Sequence, residues 1–119
     1  MIEVTISGPR GGRIRIEDEQ LIYNYVVEAC RQLKIIDADI EVLLYNKFPK
    51  DYDYAIGYCY GDKESVTIEL TKEDDDMYQT LAHEMVHCKQ FLEGRYPSEL
   101  EAKKLEFGLH EKITEGIGY

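Results

Sequence analysis

Apolar side chains first alternate along the chain at Ile2, Val4 and Ile6, and again at Ile14 and Ile16, around the turn-forming run Ser7-Gly8-Pro9-Arg10-Gly11-Gly12. Period-two runs joined by Gly and Pro predict an N-terminal β-hairpin. The period then lengthens. From about Asp18 to Leu33 the positions Ile22, Tyr25, Val26, Ala29, Cys30 and Leu33 recur at helical intervals, and Asp18 and Glu19 suit the positive end of a helix dipole. Alternation returns at Ile40, Val42 and Leu44, predicting a strand over Asp39–Tyr45, followed by a loop from Asn46 to Tyr54 around Pro49. Ala55–Tyr60 and Val66–Leu70 flank Gly61-Asp62-Lys63-Glu64-Ser65 and predict a second hairpin.

Thr71 is a candidate N-cap, and Asp74, Asp75 and Asp76 favour a helix start; the helix is expected from about Asp75 to Leu92 or Glu93, with Gly94 as its stop. Pro97 suits the first turn of a last helix from about Ser98 to Lys112, with Ala102, Leu105, Leu109 and Ile113 as its apolar stripe. The order of elements predicts a single α+β domain spanning residues 1–119. Its expected form is a small, mostly antiparallel sheet packed on the N-terminal helix and the helix at Asp75, followed by the C-terminal helix.

With 44% hydrophobic and 32% charged residues the chain has the make-up of a soluble globular protein rather than a disordered one. Its net charge of −10 repels phosphate backbones and anionic lipid. A neutral or basic target is therefore expected, with neither nucleic acid nor membrane as partner. Cys30, Cys59 and Cys88 are odd in number and contain no CxxC pair, which argues against a disulfide framework and a cysteine-built zinc site. A reducing compartment follows, and with no leader-like N-terminus and no apolar run of about 18 residues, a cytoplasmic location is expected.

Chemistry enters at Leu81-Ala82-His83-Glu84-Met85-Val86-His87. Histidines four apart on a helix lie one turn apart, so His83 and His87 can aim their imidazoles at one ion, and Zn2+ is the expected cofactor. Glu84, beside the first ligand, can act as general base towards a water that the ion acidifies. Catalytic zinc takes a third protein ligand, and the last helix offers Glu99, Glu101, Glu106 and His110. Helical periodicity leaves these candidates open. Cys88, turned about 100° from His87, is expected to be buried rather than to ligate.

His83-Glu84-Met85-Val86-His87 followed by Ser98-Glu99-Leu100-Glu101-Ala102 resembles the gluzincin branch of the HExxH zinc metallopeptidases. In that family a second helix bears Glu-x-x-Ala or Glu-x-x-Gly. The stretch from Thr80 to Ala102 is also similar to small phage-encoded chains classed as metallopeptidases. The resemblance implies a minimal zincin-like fold, Glu99 as third ligand with Ala102 as the small residue, and peptide or protein substrates. It also implies that Val66–Leu70 is the edge strand along which an extended substrate pairs. Many members carry Asp or Asn after the small residue to orient a histidine ligand; Lys103 stands there and cannot accept that hydrogen bond. An orienting carboxylate then has to come from elsewhere, with Glu101 and Glu106 as candidates. Tyr96, His110, Tyr52 and Tyr54 are candidate donors to the reaction's oxyanion. Two other readings share the motif: a zinc-pinned structural or interaction module, and a zinc hydrolase of a non-peptide substrate.

Overall fold

The computed structural model describes residues 1–52 and 55–118. Its elements are β1 (Ile2–Ser7), α1 (Ile16–Leu33), β2 (Ala38–Tyr45), β3 (Gly57–Gly61), β4 (Ser65–Thr71), α2 (Met77–Leu92) and α3 (Glu99–Ile117). The chain is an α+β domain of three helices and one four-stranded mixed sheet, in the order β1-β2-β4-β3.

Two expectations about the sheet do not hold. The N-terminal hairpin does not form: after β1 the chain makes a tight turn, with the Gly8 N–H donating to Gly12 O at 2.8 Å. Arg10 and Gly11 in this turn have φ of 59° and 74°. Ile14 then tucks against the core and Ile16 opens α1. Two apolar residues are too few to distinguish a strand from the approach to a helix. The partner of β1 is instead β2, in parallel, with Val4 opposite Ile40 and Ile6 opposite Val42. The sheet is therefore not mostly antiparallel: β1 and β4 both run parallel to β2, and only β3 and β4 form an antiparallel pair. Parallel neighbours need a long crossover, and α1 supplies the first of them.

Along β2 the side chains alternate cleanly. Ala38, Ile40, Val42 and Leu44 are buried, and Asp39 and Glu41 are exposed. The buried row joins Val66, Ile68 and Leu70 of β4 against the helices. Helix α1 contributes Ile22, Tyr25, Val26 and Ala29 to this core, α2 contributes Leu81, Ala82, Met85 and Val86, and α3 closes over both helices with Ala102, Leu109 and Ile113. Leu105, expected in that stripe, is exposed at its margin. On the other sheet face, Tyr45, Phe48, Tyr52 and Tyr58 stack with ring centroids 4.8 to 6.0 Å apart, folding the segment after β2 back over the sheet.

Thr71 ends β4 and does not cap α2; its hydroxyl accepts from the Glu73 N–H inside the intervening turn. Asp76 occupies the N-cap position of α2. The α2 stop is at Gly94, whose φ of +71° suits glycine, and the Arg95 N–H returns to Gln90 O. Ser98 caps α3 by accepting from the Glu101 N–H, so Glu99 is its first helical residue and Pro97 lies outside.

Candidate metal centre

The inner face of α2 is anchored by Leu81, Met85 and Val86, which fixes the rotation of the helix and turns His83 and His87 towards the start of α3. Their rings lie 4.9 Å apart, centroid to centroid, at 77°. Glu99 reaches between them: its Oε1 is 2.7 Å from His83 Nε2 and its Oε2 is 3.0 Å from His87 Nε2. The three potential ligand atoms all lie within 4.8 Å of one another. Of the four candidates on α3, Glu99 alone meets both histidines.

The outer nitrogens of the rings decide what this triangle can hold. His87 Nδ1 is 2.9 Å from Gln90 Oε1, and the orientation of that amide is fixed by its other partners. The Ser98 N–H donates to Gln90 Oε1 at 2.8 Å, while Gln90 Nε2 donates to Ser98 O and to Glu101 Oε1. His87 Nδ1 must therefore carry a proton, which leaves Nε2 as a lone pair in the neutral ring, facing a carboxylate. His83 is held more loosely: Glu106 Oε1 lies 3.5 Å from its Nδ1, beyond a firm hydrogen bond, and Glu99 Oε1 lies at its Nε2. Each imidazole is thus bounded by acceptors on both sides. Two adjacent imidazolium rings would satisfy this only against their mutual repulsion. One divalent cation among the two Nε2 atoms and Glu99 satisfies all three groups, and a set of two imidazoles and one carboxylate suits zinc.

Both carboxylates considered as replacements for the orienting Asp or Asn have places around this centre. Glu106 faces His83, and Glu101 holds Gln90, which in turn holds His87. Arg95, with Gln90, keeps the Glu101 carboxyl down at about 2, so it is an acceptor at any working pH. Sequence reasoning did not single out Gln90. Its spacing three residues after His87 puts it on that histidine's helical face, but its burial and its bonds to Ser98 and Glu101 arise only once α3 docks. Replacing Gln90 with Met, similar in length and able to fill the site, removes the acceptor at His87 and the bonds to Ser98. Zinc affinity is expected to fall about 10- to 100-fold, measured by competition with a chromophoric chelator. A variant that matches wild type would show that the His87 tautomer is set elsewhere.

Glu84 points into the same space and is almost completely buried. Burial pushes its carboxyl up to about 7; His87 opposes the rise, and Glu99 and Glu106 add to it. A cation in the centre would pull it back towards the ionised form. Gly57 allows this packing. A Cβ there would stand 2.9 Å from Glu84 Oε2 and 2.7 Å from Thr80 Cγ2, so only glycine lets β3 approach the carboxylate so closely.

His83, His87, Glu99 and Glu84 line a cleft of about 520 Å³. One wall is the chain from Ala55 to Cys59, the floor is α2, and the other wall carries Glu99, Lys103 and Glu106 of α3. The strand beside this cleft is β3, and its outer edge carries no ladder partner among the described residues. Val66–Leu70, expected to be that edge, is β4 and lies inside the sheet between β2 and β3, so this expectation is corrected.

The candidate oxyanion donors fall away from the centre. Tyr96 is 95% exposed and does not line the cleft, and His110 Nδ1 bonds the Tyr25 hydroxyl at 2.8 Å. The Tyr52 hydroxyl donates to Glu69, and Tyr54 lies outside the described residues. Cys88 is buried as expected, its thiol pushed up to about 12 by that burial, and the three cysteines are unpaired. No helix among the described residues is long and apolar enough to cross a membrane. No known protein family, curated protein or solved structure matches the chain significantly.

Proposed function

We propose that the chain is a zinc metallopeptidase of gluzincin type, with His83, His87 and Glu99 as ligands and Glu84 as general base. The observation that carries this reading is the acceptor on both sides of each imidazole, which a divalent cation satisfies at a single point. Bound there, zinc would supply positive charge that acidifies water and polarises a carbonyl. Glu84 takes the proton of the attacking water and returns it to the amine nitrogen as the peptide C–N bond breaks. The outer edge of β3, unpaired among the described residues, offers backbone N–H and C=O groups along the cleft, which suits an extended peptide added as a further strand. An open cleft beside the ligands favours catalysis over a purely structural ion, whose site would be closed by a fourth protein ligand. The three unpaired thiols fit action in a reducing compartment such as the cytoplasm.

Metal analysis tests the centre directly. Wild-type protein should hold one zinc per chain, and His83→Ala should lose it. Full zinc occupancy in the His83→Ala protein would overturn the assignment. Zinc in wild type with no cleavage of any unfolded protein or peptide library would overturn the peptidase half while leaving the metal half intact.

A further inference from the structure

Peptide hydrolysis in this cleft needs a donor for the carbonyl oxygen, which gains negative charge as its carbon becomes tetrahedral. The lining allows the donors to be taken one by one. The Tyr58 hydroxyl donates to Tyr52 O at 2.6 Å, and the Thr80 hydroxyl donates to Asp74 Oδ2. The Nδ1 atoms of His83 and His87 face Glu106 and Gln90, and their Nε2 atoms face Glu99 and would hold the metal. Cys59 offers a thiol, a weak donor. Lys103 remains. It is the one cation lining the cleft among the described residues, and it makes no hydrogen bond or ion pair with any of them. On α3 it follows Glu99 by one turn, rotated about 40° towards solvent, and precedes Glu106 by three residues. Its flexible four-carbon stem therefore starts between the ligand and the carboxylate that faces His83.

We propose that Lys103 is a catalytic residue whose ammonium stabilises the oxyanion; this rests on the metallopeptidase reading above. As the water oxygen bonds to the carbonyl carbon, Glu84 takes its proton and the π pair moves onto the carbonyl oxygen. A Nζ–H of Lys103 donates to that oxygen without being transferred. On collapse the oxygen's electron pair re-forms the C=O bond and the C–N bond breaks. The released pair takes the proton from Glu84, and Lys103 ends as it began. The lysine that departs from the gluzincin pattern thus has work of its own, and Glu106 supplies the carboxylate that this position would otherwise provide.

The test compares zinc-loaded wild type, Lys103→Met and Lys103→Arg. A phosphinic peptide, whose tetrahedral anionic phosphorus mimics the intermediate, is titrated calorimetrically beside steady-state kinetics on the matching peptide. Lys103→Met should bind the phosphinic peptide at least 30-fold more weakly and lose about 100-fold in kcat. Zinc content and KM should stay within 2-fold, and Lys103→Arg should recover part of both losses. Unchanged phosphinic affinity in Lys103→Met overturns the proposal. So does a raised KM at constant kcat, which would make Lys103 a ground-state anchor for a substrate carboxylate. Wild-type zinc protein that neither binds the phosphinic peptide nor cleaves any peptide overturns the peptidase reading itself, a result separable from the other two.

Discussion

Glu84→Gln should reduce peptide hydrolysis by at least about 1,000-fold while leaving one zinc per chain, because glutamine keeps the shape of the side chain and loses only its capacity to take and return a proton. The geometry makes this substitution informative. Glu84 is packed against Gly57 and Thr80, so a smaller residue would leave a hole and a larger one would meet the β3 backbone. The metal-free proteins should also differ in a pH-dependent way. A carboxyl held at about 7 in the fold and near 4.5 in the unfolded chain binds protons more tightly when folded. Metal-free wild type should therefore lose stability as pH rises from about 4.5 to 7, by at most about 3 kcal/mol. Metal-free Glu84→Gln has no such group and should be the more stable of the two above pH 7, with the gap closing in acid. Urea titrations in the presence of a chelator at pH 5 and pH 8 measure it. A Glu84→Gln protein that retains substantial turnover would sink the assignment of the general base.

Zinc should also raise the melting temperature strongly. The ligands come from two turns of α2 and the first residue of α3, so they converge only when the two helices are docked. An ion at 100 times its dissociation constant adds about 2.7 kcal/mol to a folded state that alone binds it. For a chain of this length that corresponds to a rise on the order of 10 °C. Scanning fluorimetry with zinc and with chelator should show this for wild type, and Glu99→Gln should lose most of it. A wild-type protein that binds zinc with no thermal shift would mean that the ion does not depend on the α2–α3 contact.

The helices were legible in the sequence because their apolar spacing is local. Ile22, Tyr25, Val26, Ala29 and Cys30 were expected on one face of a helix and are buried together in α1. Strand pairing was not legible, since the partner of Ile6 is Val42, and neither alternating run says whether the other runs parallel to it. The edge strand was misplaced for the same reason: the second hairpin formed as expected, but its two strands look alike until β2 chooses one of them. The third-ligand candidates were left open by periodicity alone. Ser98-Glu99-Leu100-Glu101 carries the Ser-x-x-Glu spacing of a helix start, and with Ser98 as N-cap it puts Glu99 at the first helical position. Glu101 and Glu106 were legible only as candidates for the supporting carboxylates; which histidine each serves, and the place of Gln90 between His87 and Glu101, could not be read, because these contacts form only when α2 and α3 meet.

The order of strands has a practical side. The cleft borders β3 at one end of the sheet, whereas Met1 precedes β1 at the other, three strand spacings or roughly 14 Å away. Glu99 opens α3 and Ile117 closes it, which puts the last described turn about 27 Å along the helix from the ligand. An attachment at Met1 or beyond the last described turn of α3 would thus lie well separated from the cleft. Peptide capture by protein immobilised through a tag at one of these positions should then match capture by the untagged protein in solution.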